Sequence, residues 1–252
     1  MSRFSNLEFE GDSEEQFSPT PLAKDEGYYQ HEAQTAYESG NFEQALRSYA
    51  KVLEHNPQNT GAWAGQVKML IELGEFHEAK LWADKALEQF PHDPELLAGK
   101  AVALARLGDI ENALAFSDAA VEERGDTPYV WLARGDVLLA AGRKQADSCM
   151  ERAIARASNW FVHWLASRIY YFHKKFSLAL KMVQQALAED AGRGVLWLQI
   201  GYCQVALGFE AVAINSFEQA IQLDPRGHEA RDAMAKLGRA GFVRRLFRRW
   251  RR

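Results

Sequence analysis

The chain of 252 residues has 47% hydrophobic residues, 25% charged residues and a formal net charge of −4, which is typical of a folded, water-soluble protein. It contains no run of about 18 apolar residues, as a membrane-spanning helix requires, and its acidic N-terminus lacks the apolar segment of a secretory signal. The two cysteines, Cys149 and Cys203, lie far apart in the sequence, so we expect reduced thiols and a cytoplasmic location.

Residues 1–25 form an acidic N-terminal segment. Residues 1–26 contain seven acidic and two basic side chains, and the sequence SPTP occupies positions 18–21. A segment of this composition buries too little apolar surface to fold alone, so we predict that it is disordered. Its phenylalanines leave two interpretations open, which are a short docking segment and a solubilising tail.

The middle of the chain repeats with a period of 34 residues. Gly40, Gly74, Gly108 and Gly142 follow one another at intervals of 34 residues, and Gly208 resumes the series after one shorter unit. A recurring alanine has nearly the same spacing, at Ala45, Ala79, Ala113, Ala146, Ala179 and Ala213. Two independent series with one period indicate an internal structural repeat.

Each repeat has the pattern of two helices. Trp131, Gly135 and Leu138 recur at positions i, i+4 and i+7, which places them on one helical face. Gly142 follows at the point where the end of a helix favours a residue in the left-handed conformation. Because a single helix pair leaves its apolar face exposed, the pairs are expected to stack on one another.

The repeated residues resemble those of the tetratricopeptide repeat (TPR), which has Trp, Leu, Gly and Tyr in its first helix, then Gly, Ala, an aromatic residue, Ala and Pro. The unit that starts at Gly194 matches closely, with Trp197, Ile200, Gly201, Gly208, Ala213, Phe217, Ala220 and Pro225. The resemblance implies an all-α, right-handed α–α superhelix of six helix–turn–helix repeats. Their expected bounds are 26–59, 60–93, 94–127, 128–159, 160–193 and 194–227.

Two features near the end of the repeats add to this pattern. Lys174 replaces the turn glycine of the fifth repeat, and a residue other than glycine at positive φ costs on the order of 1 kcal/mol. We therefore expect an irregular turn at Lys174. After the last repeat, Ala230, Ala233, Met234 and Leu237 share one helical face, which predicts a capping helix over residues 228–240.

No pattern in the chain indicates catalysis. The seven histidines show no HExxH spacing and no pairing with cysteine. Acidic pairs such as Glu122-Glu123 are typical of a solvated surface. We therefore predict a non-enzymatic protein with no catalytic residue, no cofactor and no metal site.

The resemblance implies that the first helix of each repeat lines a concave groove that binds a protein or peptide. The early repeats offer Gln30, Gln34, Tyr37, Glu38, Ala64, Lys68, Ile71 and Glu72 at the corresponding positions, whereas the later repeats are more aromatic. The predicted partner groove consists of Tyr129, Leu132, Trp164, Arg168, Tyr171, Phe172 and Tyr202. An aromatic strip of this kind suits an amphipathic helix or an extended peptide, with Arg168 selecting an acidic partner.

A second interpretation of these aromatic residues stays open, namely packing between adjacent repeats. If Trp164 and Tyr171 instead face the groove, replacing both by alanine should weaken partner binding and leave the stability of the protein almost unchanged.

Residues 241–252 form a basic tail with a separate apolar face. On a helical wheel its apolar residues span about 140° and its arginines occupy the opposite side. The apolar residues are Phe242, Val243, Leu246, Phe247 and Trp250, and the basic residues are Arg244, Arg245, Arg248, Arg249, Arg251 and Arg252. A helix over the eleven residues from Phe242 to Arg252, roughly 16 Å long, is too short to cross a bilayer.

Four interpretations of the tail stay open: an anchor on an anionic membrane surface, a helix that docks in a protein groove, a nucleic-acid contact, and no role beyond solvation. The leading hypothesis is a TPR adaptor held peripherally at the cytoplasmic face of a membrane. The rival hypothesis is a nucleic-acid-associated assembly factor whose arginines contact phosphates.

Overall fold

The computed structural model of the protein describes residues 24–238. All regular secondary structure within this range is helical, and the predicted all-α class is confirmed. The helices form antiparallel pairs, and each pair lies within one of the six expected repeats, in chain order.

The twelve helices of these pairs are α1 (Glu26–Glu38), α2 (Phe42–His55), α3 (Thr60–Leu73), α4 (Phe76–Gln89), α5 (Pro94–Leu107), α6 (Ile110–Glu122), α7 (Pro128–Ala140), α8 (Ala146–Arg156), α9 (Trp160–Phe172), α10 (Phe176–Glu189), α11 (Gly194–Ala206) and α12 (Glu210–Leu223). A further helix, α13, begins at residue 229 and continues to the end of the described range.

The first helix of each of the first five repeats begins at a polar side chain that accepts a backbone hydrogen bond. These N-terminal caps are Asp25, Asn59, Asp93, Thr127 and Asn159. Each cap satisfies a backbone N–H group that the helix itself leaves unpaired, and such a cap contributes about 1 kcal/mol. The capping residues therefore recur with nearly the same spacing as the sequence repeat.

The two helices of a repeat approach each other closely where a glycine faces an aromatic ring. A Cβ atom on Gly201 would lie 2.4 Å from the ring of Phe217 in the same repeat. Adjacent repeats make a similar contact, since a Cβ atom on Gly65 of α3 would lie 2.6 Å from the ring of Tyr49 of α2. Phe217 is fully buried at this contact. The close packing explains why the repeat combines a glycine in its first helix with an aromatic residue in its second.

The turn of the fifth repeat is regular, contrary to the expectation from Lys174. Lys174 adopts a φ of 58°, in the same left-handed region as Gly74 at 83° and Gly108 at 89°. The Lys174 N–H donates to the Tyr171 carbonyl at 3.0 Å, as the Gly74 N–H does to Ile71 at 3.1 Å. The packing of the two flanking helices therefore imposes the common turn, and the lysine bears the conformational cost.

Replacing Lys174 by glycine is expected to raise the free energy of unfolding by about 0.5–1 kcal/mol. Removing the left-handed strain gains about 1–2 kcal/mol, and the greater freedom of glycine in the unfolded chain offsets part of it. The matched control is Gly108→Lys, because nothing lies within 4 Å of a Cβ built there, and it should shift stability by a similar amount in the opposite direction. Urea unfolding followed by circular dichroism measures both. A loss of stability in Lys174→Gly would contradict this account.

Helix α13 covers the apolar end of the last repeat. Ala230 and Ala233 are buried, and Met234 and Leu237 are half-buried against α12. Their partners include Phe217 of α12. These four residues form the face that the sequence pattern indicated for a helix at this position.

The superhelix curves so far that its first two repeats meet its fifth. The ring centroids of Tyr37 and Phe161 are 4.9 Å apart, and those of Phe42 and Trp164 are 6.3 Å apart. An ion pair joins Glu72 to Arg168. We call this contact the seam, with Tyr37, Phe42 and Glu72 on one side and Phe161, Trp164 and Arg168 on the other. Because the seam connects the two sides of the concave groove, the groove forms a cavity rather than an open channel.

Candidate binding cavity

A cavity of about 560 Å³ lies on the concave side of the superhelix, between the first helices of the repeats. Six of the seven predicted groove residues line it, namely Tyr129, Leu132, Arg168, Tyr171, Phe172 and Tyr202. They come from α7, α9 and α11. Helices α1 and α3 contribute Tyr37, Lys68, Ile71 and Glu72 to the wall.

Trp164 is the predicted groove residue that the structure places elsewhere. Its side chain is only 2% exposed and is not part of the cavity wall. The rings of Phe42 and Phe161 pack on it, at centroid distances of 6.3 and 5.6 Å. The expectation of an exposed Trp164 is wrong because the seam covers a position that would face the groove in an open superhelix.

The remaining groove residues differ in how much surface they offer to a ligand. Phe172 is 47% exposed, whereas Leu132 is 2% exposed and only shapes the wall. Tyr171 and Tyr202 are half-buried, with ring centroids 6.4 Å apart. The most accessible aromatic surface of the cavity is therefore that of Phe172.

A network of largely buried side chains, Arg106, Asp136 and His173, lies next to Phe172. Asp136 is 2% exposed, and its two carboxylate oxygens lie 2.5 Å from Arg106 Nη2 and 2.6 Å from His173 Nε2. The Arg106 guanidinium also lies 3.2 Å from the centroid of the Phe172 ring. Arg106 thus holds Phe172 by a cation–π contact while Asp136 balances its charge.

Sequence reasoning missed the contribution of the third repeat. Val102 and Arg106 of α5 also line the cavity. They occupy the ninth and thirteenth positions of the repeat that starts at residue 94, which are two of the groove positions implied by the family resemblance. The same register would have identified both residues. Arg106 Nε is buried without a hydrogen-bond partner within residues 24–238.

A second polar group flanks Tyr129. Lys68 Nζ lies 4.1 Å from the centroid of the Tyr129 ring and 2.6 Å from a carboxylate oxygen of Glu95. Thr127 also donates to Glu95, at 2.8 Å. Burial would raise the pKa of the Glu95 carboxyl, but the charge of Lys68 and the hydrogen bonds from Lys68 and Thr127 hold it below its usual value. Glu95 is therefore ionised at neutral pH and orients Lys68.

The tyrosines of the cavity keep their protons at neutral pH. Burial, reinforced by nearby carboxylates, raises the pKa of Tyr37 and of Tyr129 well above the ordinary value. Burial and the charge of Glu229 raise the pKa of Tyr202 to about 12. All three side chains therefore present neutral phenol groups, which donate and accept hydrogen bonds.

The described part of the chain offers no group of three or more His, Cys, Asp or Glu side chains that could hold a metal ion. None of its helices is long and apolar enough to span a bilayer. The acidic segment 1–23 and the basic tail 241–252 lie outside the described residues, as does the end of the expected capping helix at 239–240.

Comparison with protein families identifies the same repeat in two parts of the chain. A family model described as tetratricopeptide repeat matches residues 6–159, and a second model with the same description matches residues 195–226. No curated protein shows a significant match to the chain.

Three solved structures illustrate the similarity in fold. A tetratricopeptide repeat protein from Parabacteroides merdae aligns with 86% of this chain and 87% of its own, at 13% identity and a TM-score of 0.51. TTC0263, a thermophilic TPR protein of Thermus thermophilus, aligns over 71% of this chain and 99% of its own, at 19% identity and a TM-score of 0.55.

Human IFIT1, solved as a dimer with m7Gppp-AAAA, aligns over 85% of this chain and 55% of its own, at 22% identity and a TM-score of 0.51. At these identities the similarity shows the fold alone. It confirms the predicted superhelix of helix–turn–helix repeats.

Proposed function

Because the chain belongs to the tetratricopeptide repeat family, we propose that it is a non-enzymatic adaptor that holds a segment of a partner protein in its concave cavity. Its repeats and its structural neighbours support a role as a protein-interaction scaffold. The observation that carries the proposal is the convergence of groove residues from α7, α9 and α11 on one cavity.

The chemistry of the cavity favours a short segment that contains an aromatic and an acidic side chain. Its volume of about 560 Å³ lies within the range of roughly 300–1,000 Å³ that is usual for ligand pockets. Phe172 and Tyr202 offer aromatic surface, and Arg168 offers a guanidinium to a carboxylate. A bound segment would therefore insert one or a few side chains, with its backbone at the mouth of the cavity.

Replacing Phe172 by alanine is expected to weaken partner binding about tenfold, because an accessible aromatic side chain in a pocket typically contributes more than about 1 kcal/mol to binding. The partner is first captured from native lysate, divided into soluble and membrane fractions, and then titrated in purified form by calorimetry.

The matched control for this experiment is Leu81→Ala. Leu81 is 66% exposed, lies on α4 and is not part of the cavity wall, so its replacement should leave the affinity unchanged. Equal losses of affinity in both variants, or none in Phe172→Ala, would contradict partner binding in the cavity.

We also propose that the tail of residues 241–252 tethers the adaptor to an anionic membrane surface, at the cytoplasmic face. The support is the complete separation of its five large apolar residues from its six arginines on a helical wheel. Both parts of this pattern contribute to membrane binding. A nucleic-acid-associated assembly factor is the second candidate, because six arginines also suit a phosphate backbone.

A further inference from the structure

The seam joins parts of the chain that do not normally touch in a solenoid. Repeats in such proteins contact only their neighbours. Here the ion pair between Glu72 and Arg168 connects residues 96 positions apart in the sequence. Arg193 lies 3.6 Å from Glu38, and a Cβ atom on Gly40 would lie 3.2 Å from Val195. The first repeat therefore touches the end of the fifth repeat and the start of the sixth as well as the second repeat.

Arg168 belongs both to the seam, through its ion pair with Glu72, and to the wall of the cavity. Its Nε and Nη2 atoms lie 2.7 and 2.5 Å from one carboxylate oxygen of Glu72. Its guanidinium also lies 4.6 Å from the centroid of the Phe42 ring and 5.3 Å from that of Trp164. The side chain that would receive a partner's carboxylate is therefore already paired with a carboxylate of the protein itself.

The contacts across the seam are an ion pair and aromatic packing between side chains of different repeats, so they can separate while each repeat keeps its own backbone hydrogen bonds. The hydrogen bonds that cross it between residues 24 and 238 are made by side chains, whereas each helix keeps its own backbone hydrogen bonds. The Glu72 and Arg168 side chains are 18% and 27% exposed, so solvent and salt reach the pair and weaken it. Small changes of angle between repeats would add up to an opening at the seam.

We propose that the seam is a gate on the cavity, and that Glu72 holds it closed by occupying Arg168 in place of an acidic side chain of the partner. Opening releases the Arg168 guanidinium and uncovers Phe42, Phe161 and Trp164. A partner segment with a carboxylate then restores the lost ion pair. This inference rests on the proposed function, since it describes how access to the same cavity is regulated.

The gate is tested on the ligand-free protein by electron paramagnetic resonance distance measurements. Nitroxide labels are placed on cysteines that replace His31 of α1 and Lys181 of α10, two exposed residues on opposite sides of the seam. The native Cys149 and Cys203 are both buried, which favours selective labelling. The parent protein should give one dominant short distance.

Replacing Glu72 by lysine places two positive charges together at the seam, so the distance distribution should shift mainly to a longer component. The matched control is Glu54→Lys, which removes the partner of Lys51 on the exposed face of α2 and should leave the distribution unchanged. Adding Arg168→Glu to Glu72→Lys restores an ion pair of reversed sense and should restore the short distance.

A salt titration of the labelled parent protein provides a second measurement that does not depend on the folding of a variant. Raising the salt concentration from about 0.05 to 0.5 M shortens the screening length and should increase the ratio of open to closed molecules severalfold.

An unchanged short distance in Glu72→Lys and at high salt would show a permanently closed ring and overturn the gate. A broad long distance in the parent protein at low salt would overturn the closed seam. Neither outcome involves the partner, so a failed gate is distinguishable from failed binding in the Phe172→Ala titration.

Discussion

Replacing Trp164 by alanine is expected to lower the free energy of unfolding by about 3–5 kcal/mol, the range for removing a large aromatic side chain from a core. Trp164 is 2% exposed, and the rings of Trp160 and Phe161 pack on it from its own helix. Phe42 packs on it from across the seam. The loss therefore combines a cavity in the fifth repeat with a weakened contact to the first. Denaturant unfolding followed by circular dichroism measures it.

The contrast with Phe172→Ala makes this prediction specific. Phe172 is 47% exposed, so its replacement should cost about 1 kcal/mol or less, although it faces the same concave side. The earlier expectation that alanine at Trp164 and Tyr171 leaves stability almost unchanged does not fit the burial of Trp164. If Trp164→Ala instead unfolded within 1 kcal/mol of the parent protein, Trp164 would be solvent-exposed in solution and the seam would be absent.

Removing the residues after position 240 is expected to abolish sedimentation with vesicles that contain anionic lipid. Each arginine near an anionic surface contributes about 1 kcal/mol, and insertion of Phe247 and Trp250 adds to this. Ordering of the segment and salt screening subtract from these contributions. We expect a micromolar dissociation constant, which corresponds to a binding free energy of about −8 kcal/mol. Cosedimentation of the 252-residue protein and the truncated protein tests this directly.

A second variant distinguishes membrane binding from nucleic-acid binding and from docking in a protein groove. Phe247→Glu together with Trp250→Glu places two charges on the apolar face of the tail and keeps every arginine, so vesicle binding should be lost while the repeats stay folded. Binding to nucleic acid that survives this change, without vesicle binding in the parent protein, would support the assembly-factor alternative. Absence of binding to either surface would contradict the membrane tether and would leave docking in a protein groove or no role beyond solvation.

The sequence was sufficient to predict the helical class, the helix positions and most of the cavity wall, because these follow from a period of one repeat. Arg168 and Tyr202 line the cavity since their register within the repeat decides which way they point. The burial of Trp164 depends on something else. It requires the first and fifth repeats to meet, and that depends on small rotations between repeats that accumulate along the chain and leave no periodic signal.

The turn at Lys174 is a second feature that sequence reasoning did not predict, and here the cause is the packing of two adjacent helices. Local preference disfavours a lysine at a φ of 58°, and judged by that preference alone the turn should be irregular. The flanking helices α9 and α10 pack on each other as in the other repeats, and the apolar surface they bury outweighs a local cost of about 1 kcal/mol. Tertiary packing therefore overrides the preference of one residue.

Closure at the seam changes how the chain is expected to fold. In an open array the terminal repeats fray first, because each has a neighbour on one side only. Here the rings of Tyr37 and Phe42 pack on the fifth repeat, and the ion pair of Glu72 with Arg168, 96 positions apart, ties the second repeat to it. The order of the first two repeats therefore depends on the order of the fifth. We expect a more cooperative transition and slower folding than local contacts alone would give. The number of repeats is constrained as well, since inserting or deleting one would turn the two faces of the seam away from each other.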